Sequence, residues 1–204
     1  MTATWHLVDA DPIAAENPYT FCKPSRDSIE RVRAGETVKL IFKFESTDPD
    51  APLAERMWVI VEEVCSNGTF RGRLDNEPRY IADLKIGDQI DFKPSHIINT
   101  EHDDSSNLVE RYVKRCFVTN RVLRDGQRVG YIYREDPDEE KDSGWRLTAN
   151  DESEEYMENS ENLAYVSLGA VLSKDDSFRH LLESPVGSAF VRDEESGEFI
   201  GDEG

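Results

Sequence analysis

Four histidines, three cysteines and a dense run of acids are the side chains of this sequence best equipped for chemistry, and their spacing limits what they can do. His6, His96, His102 and His180 fall in no HxxxH or HExxH arrangement, so no helical turn is expected to offer two imidazoles to one zinc ion. His180, between Arg179 and Leu181 on an expected helix, reads as a structural residue at or near the surface. Cys22, Cys65 and Cys116 are odd in number, widely spaced and free of any CxxC pair. They read as buried thiols rather than a disulfide framework or a zinc knuckle. The sequence has no GxSxG elbow, no GxxxxGK[ST] phosphate cradle and no GxGxxG after a strand. Ser184-Pro185-Val186-Gly187-Ser188 superficially resembles a serine motif, but Pro185 suits a helix stop and Gly187 a turn. No catalytic residue, metal site or cofactor is expected.

Asp136, Asp138, Glu140 and Asp142 alternate like the ligands of a calcium loop, yet Lys141 stands where that loop needs glycine and Leu147 where it needs a bidentate acid. A docking surface is the more informative reading. Tyr131, Tyr133, Trp145 and Tyr156 lie within or beside the acidic segment, with Arg146 next to the tryptophan. Aromatic anchors ringed by charge are common where proteins bind proteins: the rings supply desolvated contact area and the acids steer encounter. Core packing competes with this reading. Tyr131, Tyr133 and Trp145, taken singly, fit the inner face of a strand better, because a small domain needs large residues there.

The whole-chain charge points the same way. With 43 acidic against 24 basic residues the formal charge is −19, which repels phosphates and anionic lipid and attracts basic surfaces. Direct nucleic-acid binding and membrane binding are not expected, although such acidity also simply confers solubility. No basic segment followed by an apolar stretch opens the chain, and no apolar run approaches a membrane span; a cytoplasmic location is the resulting expectation.

These residues must be positioned by two small domains, since 204 residues exceed a typical single domain. In the first half, Val38, Leu40, Phe42 and Phe44 alternate with Lys39, Ile41, Lys43 and Glu45, the period-2 signature of a half-buried strand. Met57–Val64 and Phe70–Leu74 flank Asn67-Gly68, a tight hairpin turn, and a last strand is expected over Gln89–Phe92. Short strands separated by turns imply a curved antiparallel sheet or partly closed barrel over residues 1–105. The polar stretch Thr100–Asn107 marks the boundary. Beyond it, residues 113–204 read as an α+β domain. Cys116–Leu123, a strand or short helix, forms a hairpin with Val129–Tyr133. A buried strand around Leu147 lies within an acidic loop. Short helices follow Ser167 and Asp175-Asp176, and Val186–Val191 forms a final strand before a fraying acidic tail from Asp193. The expected fold class is α+β throughout.

Several motifs in the second half are similar to a known family. Gly130-Tyr131-Ile132-Tyr133-Arg134-Glu135, Asp142-Ser143-Gly144-Trp145-Arg146, Asp151-Glu152 with Glu155-Tyr156-Met157, and Ser184-Pro185-Val186-Gly187-Ser188-Ala189-Phe190 occur in order. They resemble the thirty-third immunity-protein family of bacterial polymorphic toxin systems, formerly a domain of unknown function, over about Cys116 to Phe190. In the first half, Met57-Trp58-Val59, Gly72-Arg73-Leu74-Asp75-Asn76-Glu77-Pro78, Ile81, Leu84-Lys85-Ile86-Gly87-Asp88 and Phe92 resemble another uncharacterised, β-rich bacterial domain. Neither resemblance brings a catalytic map.

The immunity resemblance implies a protein that binds a cognate toxin inside the producing cell and blocks its active site or its access to target. Many toxins that attack nucleic acids carry basic clefts, which an acidic partner can occupy in place of phosphate. The expected contact residues are Asp136, Asp138, Glu139, Glu140, Asp142, Glu152, Glu154 and Glu155, with Trp145 or Tyr156 as anchor. The alternative is a non-catalytic small-ligand or regulatory module, in which the β-rich domain encloses a pocket and the acids serve solubility.

Overall fold

The structure, a computed structural model, describes residues 4–46, 48–102, 104 and 106–202. The chain divides into two compact units, Met1–Asn107 and Leu108–Gly204.

The first unit runs β1 (Trp5–Leu7), α1 (Asp11–Glu16), α2 (Arg26–Glu30), β2 (Thr37–Phe44), β3 (Ala54–Val64), β4 (Phe70–Leu74), β5 (Gln89–Phe92), a 3-10 turn at Pro94–His96 and β6 (Ile97–Thr100). All its strand pairs are antiparallel, in the order β1-β2-β3-β4-β5, with β6 also on β2. β1 and β6 share one edge of β2: β1 pairs with Phe42–Phe44 and β6 with Val38–Leu40. The sheet therefore curls into a nearly closed barrel. The alternation at 38–44 decides which face closes inward, because every second side chain points the same way. Val38, Leu40, Phe42 and Phe44 pack with Met57, Val59, Val61, Phe70, Leu74, Ile90, Phe92 and Ile97. The outward Ile41 is covered instead, in a small cluster with Ala10 and Ile98. β1 and β6 carry too few residues to show a period in sequence. Thr100, placed by its polar neighbours in an expected linker, ends β6 and is buried.

The second unit runs α3 (Leu108–Arg111), β7 (Arg115–Thr119), α4 (Asn120–Leu123), β8 (Tyr131–Arg134), β9 (Asp142–Thr148), α5 (Glu154–Glu158), β10 (Leu163–Ser167), α6 (Leu168–Leu172), β11 (Ala189–Arg192) and β12 (Phe199–Gly201). Among the described residues the sheet has six strands in the order β10-β7-β9-β8-β11-β12. β7 and β9 are parallel, and the other pairs antiparallel. With β-strands and short helices in each unit, the chain is α+β.

The expected hairpin of 116–123 with 129–133 does not form. β9 lies between β7 and β8, because β9 is the most buried strand, with Asp142 to Leu147 all withdrawn from solvent, and a strand so buried takes the centre. The expected strand-or-helix at 116–123 resolves into both, β7 followed directly by α4. Ser167 caps α6 by accepting from the Ala170 N–H at 3.2 Å. The second expected helix is only a 3-10 turn at Arg179–Leu181. The acidic tail does not fray through residue 201: Val191 pairs with Ile200, and the Arg192 guanidinium lies 4.4 Å from the Phe199 ring centre.

Candidate functional site

The acid-and-aromatic constellation around β9 is built on a bulge. Asp142 stands opposite Arg115 and Arg146 opposite Phe117, so four steps along β9 match two along β7. A regular strand would set positions 142 and 146 about 13 Å apart, and the bulge shortens that span. Gly144 makes it sterically possible: its φ is +81°, and a Cβ there would lie 2.2 Å from the Glu135 carbonyl oxygen. The bulged polar groups are satisfied locally. Ser143 Oγ donates to the Arg115 carbonyl at 2.7 Å and accepts from the Trp145 N–H at 3.2 Å, while the Gly144 carbonyl accepts from the Glu135 N–H at 2.9 Å.

Arg146 and Asp142 meet inside this bulge. Nη1 and Nη2 of Arg146 donate to Oδ1 and Oδ2 of Asp142 at 3.1 and 3.0 Å. Arg146 Nε donates to Glu135 at 2.9 Å, and the guanidinium lies 4.9 Å from the centre of the Phe117 ring. Asp142 also accepts from the N–H groups of Gly144 at 2.9 Å and Asp138 at 3.1 Å. Burial alone would raise the Asp142 carboxyl; Arg146 and these two backbone donors more than offset it and hold it at about 2.

The predicted contact residues fall into three sets. Asp142 and Trp145 are each only 1% exposed, which corrects the expectation that they face a partner. Asp142 is committed to Arg146. The Trp145 indole N–H donates to the Leu182 carbonyl at 3.3 Å under the Arg134 guanidinium, so the ring serves the core. Asp136, Asp138, Glu139 and Glu140 are exposed on the loop before β9. Two of these are engaged: Asp138 with Arg146 at 3.4 Å, and Glu139, which accepts from the Tyr165 hydroxyl at 2.8 Å. Glu152, Glu154, Glu155 and Tyr156 lie beyond the other end of β9. Glu152 is half-buried and accepts from Thr119 Oγ1 at 2.5 Å and the Ala149 N–H at 2.8 Å. Glu154 and Glu155 are exposed in the first turn of α5, beside a half-buried Tyr156.

Sequence order thus merges two acidic groups that the fold separates by the length of β9, roughly 13 Å or more. At physiological ionic strength charges are screened over about 8 Å, so the groups act as two local fields. Sequence reasoning missed Arg134 and the Asp175–Arg192 pair. Arg134 donates to the carbonyls of Ser143 at 3.2 Å and Ser184 at 2.6 Å. Arg192 pairs with Asp175 at 2.8 Å, and both side chains are at most 10% exposed. An arginine within a short apolar run was the available signal in both cases. Among the described residues, no group of three His, Cys, Asp or Glu side chains is placed to hold a metal ion.

Comparison with known families assigns both halves. Residues 17–125 match a family described as an uncharacterized protein conserved in bacteria (DUF2314), more than half of the chain. The chain belongs to that family. Residues 116–203 match the immunity protein Imm33 domain, which points to a role in toxin immunity in general. The two matches overlap on 116–125, where β7 and α4 lie. No curated protein and no solved structure matches the chain.

The geometry explains why the residues that carry the Imm33 resemblance occur together. Gly130 lies so close to the next strand that a Cβ would stand 2.1 Å from the Ala149 carbonyl oxygen. Arg134 exchanges backbone hydrogen bonds with the turn before β11, accepting from Gly187 at 2.8 Å and donating to Ser188 at 2.9 Å. Asp142-Ser143-Gly144-Trp145-Arg146 is the bulge itself. These segments shape the interior of the unit that carries the Imm33 match. No helix among the described residues is long and apolar enough to cross a membrane.

Proposed function

We propose that this chain is a cytoplasmic immunity protein that binds and neutralises a cognate toxin without catalysis. The contact begins at α5, where Glu154, Glu155 and Glu158 are exposed around the half-buried Tyr156 and the exposed Met157. That juxtaposition carries the choice of surface, because it combines steering charge with one ring and one sulfur that a partner can desolvate. A basic cleft on the toxin is its complement. Glu152 supports the face from behind by holding Thr119 and Ala149.

The test takes as its candidate toxin a secreted effector with a toxic C-terminal domain sought among the neighbouring genes. Co-expression should rescue growth, and the pair should co-purify. Reversing Glu154, Glu155 and Glu158 together to lysine should slow association at least tenfold and flatten its salt dependence. Reversing Asp136 and Glu140, beyond the other end of β9, should do neither. An unchanged association rate and salt slope in the α5 variant would place the contact elsewhere. Failure to rescue or to co-purify would reject the immunity reading itself.

A further inference from the structure

Cavities in the two units differ in the charge of their walls. One of about 630 Å³ sets Asp11 and Glu30 against Lys23 and Arg26, and one of about 980 Å³ sets Glu140 beside Lys114, Arg115 and Lys141. A third, of about 190 Å³, lies on the outer face of the barrel-like sheet and has Lys39 and Arg56 but no acid among its described lining residues. In a chain with 43 acids to 24 bases, a cavity walled by cations alone is unexpected from composition.

The sheet brings the two cations together. Lys39 on β2 is opposite Trp58 on β3, and Ile41 is opposite Arg56. Lys39 and Arg56 are therefore diagonal neighbours on one face, about 7–8 Å apart or somewhat less between Cβ atoms, a span that two long side chains close around one small ion. No carboxylate among the described residues lies in ion-pair range of either cation. Each is held by a ring instead: Lys39 Nζ is 4.9 Å from the centre of Trp58, and the Arg56 guanidinium 5.9 Å from that of Phe21. A ring orients a cation without neutralising it. Glu101 and Glu36, the acids flanking this end of β2, are taken by Thr37 and His102.

The remaining polar lining can donate. Asn99, opposite Lys39 on β6, uses its Oδ1 to accept from the Thr100 N–H at 2.8 Å, which leaves its amide hydrogens for the cavity. Thr20 adds a hydroxyl. The sulfur of Cys22 accepts from Asn107 at 3.0 Å, leaving its S–H as a weak donor. Drug-sized ligands occupy about 300–1,000 Å³, so a cavity of 190 Å³ suits one small group.

We propose that this cavity binds a phosphate group, clamped between Lys39 and Arg56 with Asn99 as an orienting donor. The site lies in the unit matched by the uncharacterized bacterial family. It goes beyond the immunity reading and does not rest on it.

Inorganic phosphate and glycerol phosphate are titrated separately into the full-length protein at constant ionic strength, with binding followed by amide chemical shifts and calorimetry. Saturable binding is expected, with shifts centred on residues 20–22, 39, 56 and 99. Lys39→Gln and Arg56→Gln should each weaken it at least tenfold while leaving the melting temperature of the unliganded protein unchanged. Lys39→Arg should keep most of the affinity. Binding of both ligands identifies a terminal phosphate as sufficient; binding of inorganic phosphate alone identifies the free ion. Non-saturable shifts, or equal affinity in a Lys39→Gln/Arg56→Gln double variant, would overturn the assignment.

Discussion

Arg146 holds Asp142 with both terminal nitrogens of its guanidinium, at 3.1 and 3.0 Å, while the two side chains are 10% and 1% exposed. The pair converts part of an acidic sequence run into the interior of the Imm33 domain. Removing one member of such a pair strands the other charge, which costs about 3–5 kcal/mol. Asp142→Ala should therefore lower the unfolding free energy by about that amount in urea titrations. Glu135→Gln, at a carboxylate 53% exposed on the same arginine, should change it by about 1 kcal/mol or less. Equal effects would mean that the bulge does not close over Asp142.

Acid should find the same weakness. Burial opposes ionisation of Asp175 as it does of Asp142, but Ser177, the Val129 N–H and Arg192 bring the Asp175 carboxyl below its ordinary value. Both groups thus have folded-state pKa values below their unfolded ones, so the unfolded chain takes up protons first as pH falls. The contribution of Asp142 is full above its ordinary, unfolded-state value and is lost as pH falls through about 2, and that of Asp175 is likewise lost below its ordinary value. Stability measured between pH 6 and 2 should fall most steeply in that lower window. Asp142→Asn should flatten the fall; an unchanged acid slope in that variant would remove Asp142 from the account.

The two close-packed glycines make a sharper stability prediction. Gly144 needs both a left-handed backbone and the absence of a side chain, whereas Gly130 needs only the second. Gly144→Ala adds roughly 1–3 kcal/mol of backbone strain to its overlap with Glu135. Both substitutions should be strongly destabilising in thermal melts, with Gly144→Ala the worse. If Gly144→Ala melts like the parent, the bulge is not formed.

The first unit was readable in sequence because its central strands alternate cleanly: Val38 to Phe44 fixes the inner face, and Asn67-Gly68 fixes the hairpin. β1 and β6 were not, since three or four residues show no period and take their place from the edge of β2 they cover. In the second unit the motif residues were legible as a family resemblance, but their roles were not. Asp142 and Asp138 look alike in a list of acids. The fold buries one and exposes the other because only Asp142 stands within the span that the β9 bulge shortens. Trp145 left two readings open for a related reason: a small domain needs large rings in its core and the acids around it suggested a surface, and the central strand that carries it decides for the core.

Trp145 can be separated from the binding surface by experiment. Trp145→Phe keeps a large ring in the core but removes the indole donor to the Leu182 carbonyl. The expected loss is about 1 kcal/mol of stability, with toxin association and dissociation rates unchanged. Tyr156→Ala should do the reverse, speeding dissociation with little effect on stability. A Trp145→Phe protein that folds normally but releases toxin faster would put the indole back at the interface.

Cys116 offers a built-in reporter of this core. Burial pushes its thiol up to about 12; Arg146 draws it down and Asp142 pushes it up by smaller amounts. At pH 8 only about one molecule in ten thousand would carry the reactive thiolate, and the side chain is fully buried besides. Cys22 and Cys65 are only half-buried. Iodoacetamide at pH 8 should therefore label Cys65 readily and leave Cys116 untouched until the second unit opens. The Asp142→Ala variant should label Cys116 faster, about tenfold for each 1.4 kcal/mol of lost stability, because alkylation then samples the open population. Labelling of Cys116 at the Cys65 rate in the parent protein would show that β7 is not packed between β9 and β10.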